Sequence, residues 1–290
     1  MLKALLRLFA FLPLPVIHAL GAIFGLASLI GDPKFSRRIR HNILSVQITS
    51  SAGECRKLVK QTACEIGKGL AETFGIWFRP TIKVLKWVKA CNGWEHVETA
   101  LAEKKGIIFL TPHLGCFEIT AIYYSAHHPI NVLFRPPRKS WLASLVEEGR
   151  SRSQIQLAPT NMSGVRSLFK SLKKGEAIGI LPDQVPDVGE GAWADFFGIP
   201  AYTMTLVGKL QEATGAKVLL AFGERLSWGR GYVIHIEPLD AEASPQNINA
   251  AIENLIRRCP AQYLWSYRRF KQPKMLRTHK DSATDKPVKA

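Results

Sequence analysis

The sequence is short of acidic residues: 23 Asp and Glu stand against 39 Lys and Arg in 290 residues, a formal net charge of +16. It has only five cysteines, Cys55, Cys64, Cys91, Cys116 and Cys259, an odd number with no C-x-x-C pair. That count excludes a disulfide scaffold and offers no zinc-like spacing, so the thiols read as reduced, either buried or free. No internal repeat and no long linker occurs, which excludes a solenoid or a string of small modules. Apolar material is not lacking. Hydrophobic residues make up 47% and charged residues 21%, enough for one large packed core. Surplus positive charge together with seven Trp and fourteen Phe suits work beside something anionic and greasy. A membrane surface, nucleic acid and an acidic carrier protein all meet that description.

One further absence is local. From Leu8 to Gly31 no Asp, Glu, Lys or Arg occurs, a run of 24 residues. A helix crossing a bilayer core needs about 20 apolar residues, so this is a candidate membrane helix. Lys34, Arg37, Arg38 and Arg40 crowd its far end, a bias that keeps the following domain in the cytoplasm. Pro13, Pro15 and His18 interrupt the run, which leaves an interfacial helix as a second reading. A cleaved signal peptide is a third, opposed by the basic cluster downstream and by the unpaired cysteines. The chain thus divides into an N-terminal membrane anchor (1–31), one domain (32–272) and a basic, disordered tail (273–290). From Ser266 onward eight basic residues face two acidic ones, a balance suited to anionic headgroups.

Within the domain, Ser51 and Glu54 form an S-x-x-E start signal for a helix ending before Pro80, and a helix-like stretch follows over Val84–Val88. Short apolar runs then predict strands at Ile107–Thr111, Val132–Phe134, Ala177–Leu181, Val218–Phe222 and Tyr232–Ile236. Helical patterns begin at Glu118, Ser163, Thr203 and Pro245, with Gly175 and Gly215 as stops. Such alternation predicts an α/β fold, a single domain with a central, mostly parallel sheet flanked by helices, plus the N-terminal membrane helix.

The segment with most chemistry is Ile107-Ile-Phe-Leu-Thr-Pro-His113-Leu-Gly-Cys-Phe-Glu118. A buried strand ends at Thr111, Pro112 turns the chain, and His113 emerges just before a helix. Five steps of about 100° would put His113 and Glu118 on different faces of one helix. A His in the loop and a Glu in the first helical turn can meet instead, with Gly115 allowing the bend. Glu118 would then fix the imidazole tautomer, leaving the other nitrogen to take a proton from a hydroxyl. H-x-x-x-x-E is not H-E-x-x-H, so a zinc-protease reading has little support. Tyr263, Trp265, Tyr267 and Phe270 among basic residues could mimic a nucleic-acid stacking platform, but beside an apolar anchor they read as an interfacial aromatic belt, with no nucleic acid as partner.

The His113–Glu118 block is accompanied by Phe134-Arg135-Pro136, Gly149-Arg150, Gly179-Ile-Leu-Pro-Asp183-Gln184, Phe196-Phe-Gly-Ile-Pro200-Ala201 with Thr203, and Gln262-Tyr-Leu-Trp265 running into Arg268-Arg-Phe-Lys271. In order and spacing this series resembles the bacterial lipid A biosynthesis acyltransferases, the late acyltransferases within the lysophospholipid acyltransferase-like group. The likeness covers nearly the whole chain. Cys116-Phe117 stands where that family often has Asn-Trp. The resemblance implies acyl transfer from an acyl carrier protein thioester, or from coenzyme A, to a hydroxyl of a lipid A precursor of the lipid IVA type. It makes His113 and Glu118 the catalytic pair, and gives Arg150, Asp183, Gln184 and Arg135 to substrate binding, with Arg150 on a phosphate. No metal or redox cofactor is implied. The implied partners are acyl carrier protein, the anionic glycolipid and membrane lipids, at the cytoplasmic face of the inner membrane. Another glycolipid or a lysophospholipid as acceptor remains an alternative, as does a non-catalytic basic membrane-binding protein.

Overall fold

The computed structural model describes residues 2–137 and 140–273. The basic tail beyond Pro273 and the pair Arg138 and Lys139 lie outside the described residues.

Three N-terminal helices, α1 (Leu2–Ala10), α2 (Leu14–Gly31) and α3 (Pro33–Ser45), precede the long α4 (Ala52–Phe78) and the short α5 (Thr81–Leu85). There follow β1 (Val88–Asn92), α6 (Trp94–Ala102), β2 (Ile107–Leu110), α7 (Phe117–Ser125), β3 (Ile130–Phe134), α8 (Ser140–Arg150), β4 (Ile155–Pro159), α9 (Met162–Lys173) and β5 (Ala177–Ile180). A hairpin, β6 (Gly191–Phe196) and β7 (Ile199–Met204), leads to α10 (Leu206–Thr214), β8 (Lys217–Arg225), β9 (Tyr232–Pro238) and α11 (Pro245–Arg258). The main sheet has the order β1-β9-β8-β2-β5-β3-β4, with β8 and β9 antiparallel and every other neighbouring pair parallel. This is the expected α/β architecture. Its central strands β2 and β5 are buried at every residue, and so read as unbroken apolar runs.

All five predicted strands are present, each within a few residues of its expected bounds. The start signal at Ser51 holds too: its hydroxyl accepts from the Glu54 N–H, and the Glu54 carboxylate accepts from the Ser50 N–H. Three expectations need correction. The helical reading of Val84–Val88 fails at its end, because Val88 begins a strand paired with β9. The helix predicted from Thr203 starts at Leu206, since Thr203 is still in the hairpin, opposite Ala192. Tyr263 and Trp265 are no interfacial belt: they are 3% and 2% exposed, packed in the core against Phe196 and Phe197.

The apolar helix α2 is the one described helix long and apolar enough to cross a membrane. One of its faces is docked on α4. At the crossing Gly25 lies so close to α4 that a Cβ there would sit 1.9 Å from the Ala63 carbonyl, and one on Gly67 would meet the Gly21 carbonyl at 2.0 Å. Only small residues permit that approach of two backbones. Leu8, Phe11, Ile23, Phe24 and Ile30 on α1, α2 and their connection face outward. Arg79 closes the α1–α2 break, donating to the carbonyls of Ala10 (2.6 Å) and Leu12 (2.5 Å).

His18, an interruption in the apolar run, is what ties α2 to the sheet. It is 3% exposed, and its Nε2 lies 2.7 Å from the Glu72 carboxylate of α4. Arg225, at the end of β8, grips Glu72 with two donors (2.8 and 2.6 Å) and reaches Glu65 at 2.6 Å, while the Tyr232 hydroxyl donates to Glu72 at 2.9 Å. Burial alone would push the Glu72 carboxyl up. The Arg225 charge and hydrogen bonds, with His18 beside them, outweigh that and hold it well below the usual carboxylate range.

Two outcomes are expected. Because Glu72 stays ionised in the folded chain at pH values where the unfolded chain takes up a proton, its contribution is whole at neutral pH and fades below about pH 5. Urea unfolding at pH 7 and pH 4 should therefore show a larger loss for the wild type than for Glu72→Gln; equal losses would deny the depressed carboxyl. Arg225→Met, leaving Glu72 buried without its counter-charge, should cost about 3–5 kcal/mol in the same assay.

Candidate active site

Register brings the site together. β2 pairs with β5 in parallel, Leu110 opposite Ile180, and a last rung runs from the Thr111 N–H to the Ile180 carbonyl at 2.9 Å. Residues three beyond each strand end, His113 and Asp183, therefore emerge side by side at the carboxyl edge of the sheet, the edge at which open α/β sheets hold ligands. The Asp183 carboxylate accepts from the His113 backbone N–H (2.9 Å) and faces its ring Nδ1 at 2.8 Å. Asp183 is 2% exposed. Burial pushes its carboxyl up, and the His113 charge with those two hydrogen bonds, helped by Arg269, brings it below the ordinary aspartate value.

This corrects the pairing expected from the sequence. The group on the His113 Nδ1 is Asp183, and Glu118 is occupied elsewhere. Arg150, at the end of α8, clasps the Glu118 carboxylate through Nε at 2.9 Å and through Nη2. The Arg150 guanidinium also lies 5.6–6.0 Å from the ring centres of Trp77, Phe117 and Phe134. Its fork is thus directed at a buried carboxylate within an aromatic cage, which is not the open phosphate clamp that was expected of it. Neither Glu147 nor Glu148 takes that place, since Glu148 pairs with Arg7 of α1.

The remaining nitrogen of His113 faces outward. Its Nε2 lies 3.2 Å from the exposed Gln184 amide, and its ring rests on Phe117 with centroids 5.0 Å apart. With Asp183 accepting at Nδ1, the neutral ring carries its proton there and presents Nε2 as acceptor. Arg135 stands at the end of β3 on the same sheet edge, exposed, 2.8 Å from the equally exposed Asp187.

The loop from His113 to Cys116 is held by its own backbone. Gly115 takes a φ of +60°, and a Cβ there would lie 2.1 Å from the Gly223 carbonyl, so only glycine fits. The Gly115 N–H donates to the Gln262 carbonyl and the Cys116 N–H to the Gly223 carbonyl. Those two donors are taken. The N–H groups of Phe117 and Glu118, in the first turn of α7, have no partner among the described residues. Cys116 is 3% exposed, and burial followed by the nearby Glu72 raises its thiol well above the usual range, which removes it as a nucleophile.

Between α7 and the sheet runs a narrow, largely apolar cavity. Glu118, Arg150 and Phe117 stand at one part of its wall; Trp94, Tyr124 and Ile236 line it further on. Phe117, on which the His113 ring rests, lies beside Glu118 and Arg150 in this lining, and most of the remainder is apolar, with Thr111, Thr120, Tyr123 and Tyr124 among it. That is the shape of a site for a molecule with one reactive end and a long apolar remainder.

A family model described as bacterial lipid A biosynthesis acyltransferase matches residues 1–272. The chain belongs to that family. It is 28% identical over 268 residues to the lipid A biosynthesis lauroyltransferase of Escherichia coli (strain K12), covering 90% of this chain and 87% of the relative. It is likewise 28% identical over 270 residues to the lipid A biosynthesis palmitoleoyltransferase of the same organism, with 90% and 86% covered. A lipid A biosynthesis acyltransferase of Haemophilus influenzae is 26% identical over 274 residues, with the same two shares. As a member of the lipid A acyltransferase family the chain is an acyltransferase, with a lipid A-type glycolipid as substrate. The match of residues 1–272 takes in α1 and α2, so the helices that carry the exposed apolar face are part of the family's shared length.

The sequence missed the Asp183–His113 and Arg150–Glu118 pairings, although all four residues were singled out. The available signal was positional: His113 and Asp183 each follow a short buried strand by the same offset. If Arg150 is the counter-charge of Glu118, Arg150→Ala should lower stability by about 3 kcal/mol, and adding Glu118→Gln should recover part of it. Arg135→Ala, breaking an exposed pair, should stay within about 0.5 kcal/mol in the same thermal or urea unfolding.

Proposed function

We propose that the protein transfers a fatty acyl chain from an acyl carrier protein thioester to a hydroxyl of a phosphorylated lipid A precursor, with His113 as general base held by Asp183. The observation that carries this reading is the narrow apolar cavity lined by Phe117, on whose ring the His113 imidazole rests. The acyl chain lies in the cavity, where each buried methylene contributes roughly 0.8 kcal/mol. The acceptor hydroxyl approaches from the Gln184 side and displaces the exposed Gln184 amide from the His113 Nε2. His113 takes the hydroxyl proton as the oxygen attacks the thioester carbonyl. The tetrahedral oxyanion is met by the N–H groups of Phe117 and Glu118 at the start of α7, which add the partial positive charge of a helix N-terminus. Collapse breaks the C–S bond, and the proton passes from His113 to the departing thiolate. A thioester is already activated, so no metal or redox cofactor enters.

In this reading Glu118 and Arg150 form a fixed polar part of the cavity wall beside Phe117. With the Arg150 fork directed at Glu118, the acceptor phosphate falls to exposed Arg135. Carrier protein is favoured over coenzyme A because the chain's excess of positive charge attracts an acidic protein at low salt. The exposed apolar residues of α1 and α2, followed by Lys34, Arg37, Arg38 and Arg40 of α3, fit a helix pair seated in the cytoplasmic face of the inner membrane.

The deciding experiment incubates purified protein with a tetra-acylated, phosphorylated lipid A precursor and a panel of acyl carrier protein thioesters, with acceptor mass as readout. One added acyl chain is expected, and His113→Ala should reduce turnover by roughly 10² or more while remaining folded. Unchanged turnover in His113→Ala removes the base. Acylation of a lysophospholipid or another glycolipid alone would keep the chemistry and move the acceptor.

A further inference from the structure

The segment 262–269 brings no base, nucleophile or oxyanion donor to the mechanism above, yet it touches both loops that carry the reacting pair. Its backbone is joined to the His113 loop: the Leu264 N–H donates to the His113 carbonyl at 3.0 Å, the Gly115 N–H donates to the Gln262 carbonyl at 3.0 Å, and Leu114 bridges Tyr263 in antiparallel fashion. The same segment holds the second loop, because the Val185 N–H, two residues past Asp183, donates to the Tyr267 hydroxyl at 2.9 Å. Tyr263 is 3% exposed, and burial together with the Asp183 charge pushes its phenol well up.

The segment is itself anchored on three sides. The Gln262 side chain accepts from the Arg225 N–H and donates to the Arg225 carbonyl, both at 2.9 Å. Asn42 of α3 donates to the carbonyls of Trp265 (2.6 Å) and Tyr267 (2.8 Å). Arg269, 2% exposed, donates to the Tyr202 carbonyl at 2.9 Å and to the Asn249 side chain at 3.0 Å. A strap fixed to β8, α3 and the hairpin therefore sets the distance between two loops that leave the sheet separately.

We propose that this strap is the template aligning His113 with Asp183, and that Tyr267 is a positioning residue of the acyl transfer, acting through the Val185 backbone. The proposal rests on the reading of His113 as base. The physical need is plain: beyond the Thr111 rung the two loops leave the β2–β5 ladder, and misplacing a reacting group by about 1 Å can cost about 10²-fold in rate.

The test uses the full chain with Tyr267→Phe and His113→Ala, each assayed for acyl transfer to the tetra-acylated precursor, with circular dichroism to follow folding. Tyr267→Phe should lose about tenfold in kcat while KM for the acceptor stays within about twofold. Wild-type kcat in Tyr267→Phe, with His113→Ala inactive, overturns the strap and keeps the base. A drop in kcat that only tracks a drop in folded protein also overturns it. Full turnover in His113→Ala overturns the base itself, and the strap's role with it.

Discussion

The parallel pairing of β2 with β5 is the constraint on which the site depends. Two short strands, buried at every residue, are locked in register by backbone hydrogen bonds and by side chains packed on both faces. A one-residue slip would turn every side chain to the opposite face and bury the wrong set, so the register is strongly fixed. Because it is fixed, the loops that follow begin level with each other, and a histidine and an aspartate at equal offsets are brought within hydrogen-bond distance at the edge where a ligand can reach them. The chemistry is thus a consequence of strand alignment more than of local motif.

A second ionic cluster does for the helices what the register does for the loops. Glu72 is surrounded by Arg225, His18 and Tyr232, drawn from β8, α2 and β9, so one carboxylate joins the apolar N-terminal helix, the long α4 and the sheet. Buried pairs of this kind contribute little net stability against an apolar alternative, but they penalise any other arrangement by leaving a charge unmatched. The close glycine contact of α2 with α4 works with it: small residues allow the approach, and the polar cluster specifies where along the helix it occurs. The exposed side of α2 is left apolar, which gives an acyltransferase of lipid A biosynthesis a face matched to the medium of its glycolipid substrate.

Much of this was legible in the sequence. The α/β class followed from apolar runs alternating with helical patterns, because buried strands and amphipathic helices have different periods. His113 and Glu118 stood out just past the end of an apolar strand, and Arg150 and Asp183 joined them through the family resemblance. The hairpin β6–β7 and the strands β1 and β4 were missed: their residues alternate weakly and carry Gly, Lys, Asp, Gln or Pro, so neither the period-two pattern nor an apolar run marks them. The aromatic cluster near the C-terminus was read as an interfacial belt because composition reports what residues are present, and burial depends on what packs over them.

What the sequence by itself determined was the inventory: a basic chain with one long apolar helix, an α/β body, and a histidine, two carboxylates and an arginine available for chemistry. What only the tertiary structure decided was the partnership among them. Glu118 is five residues from His113 and Asp183 is seventy away, so sequence proximity favoured the wrong carboxylate. Strand register carries Asp183 to the His113 Nδ1, and the aromatic cage of Trp77, Phe117 and Phe134 carries Arg150 to Glu118. A hydrogen bond is set by a distance of about 3 Å in space, and that distance is a property of packing between elements that the linear order of residues does not encode.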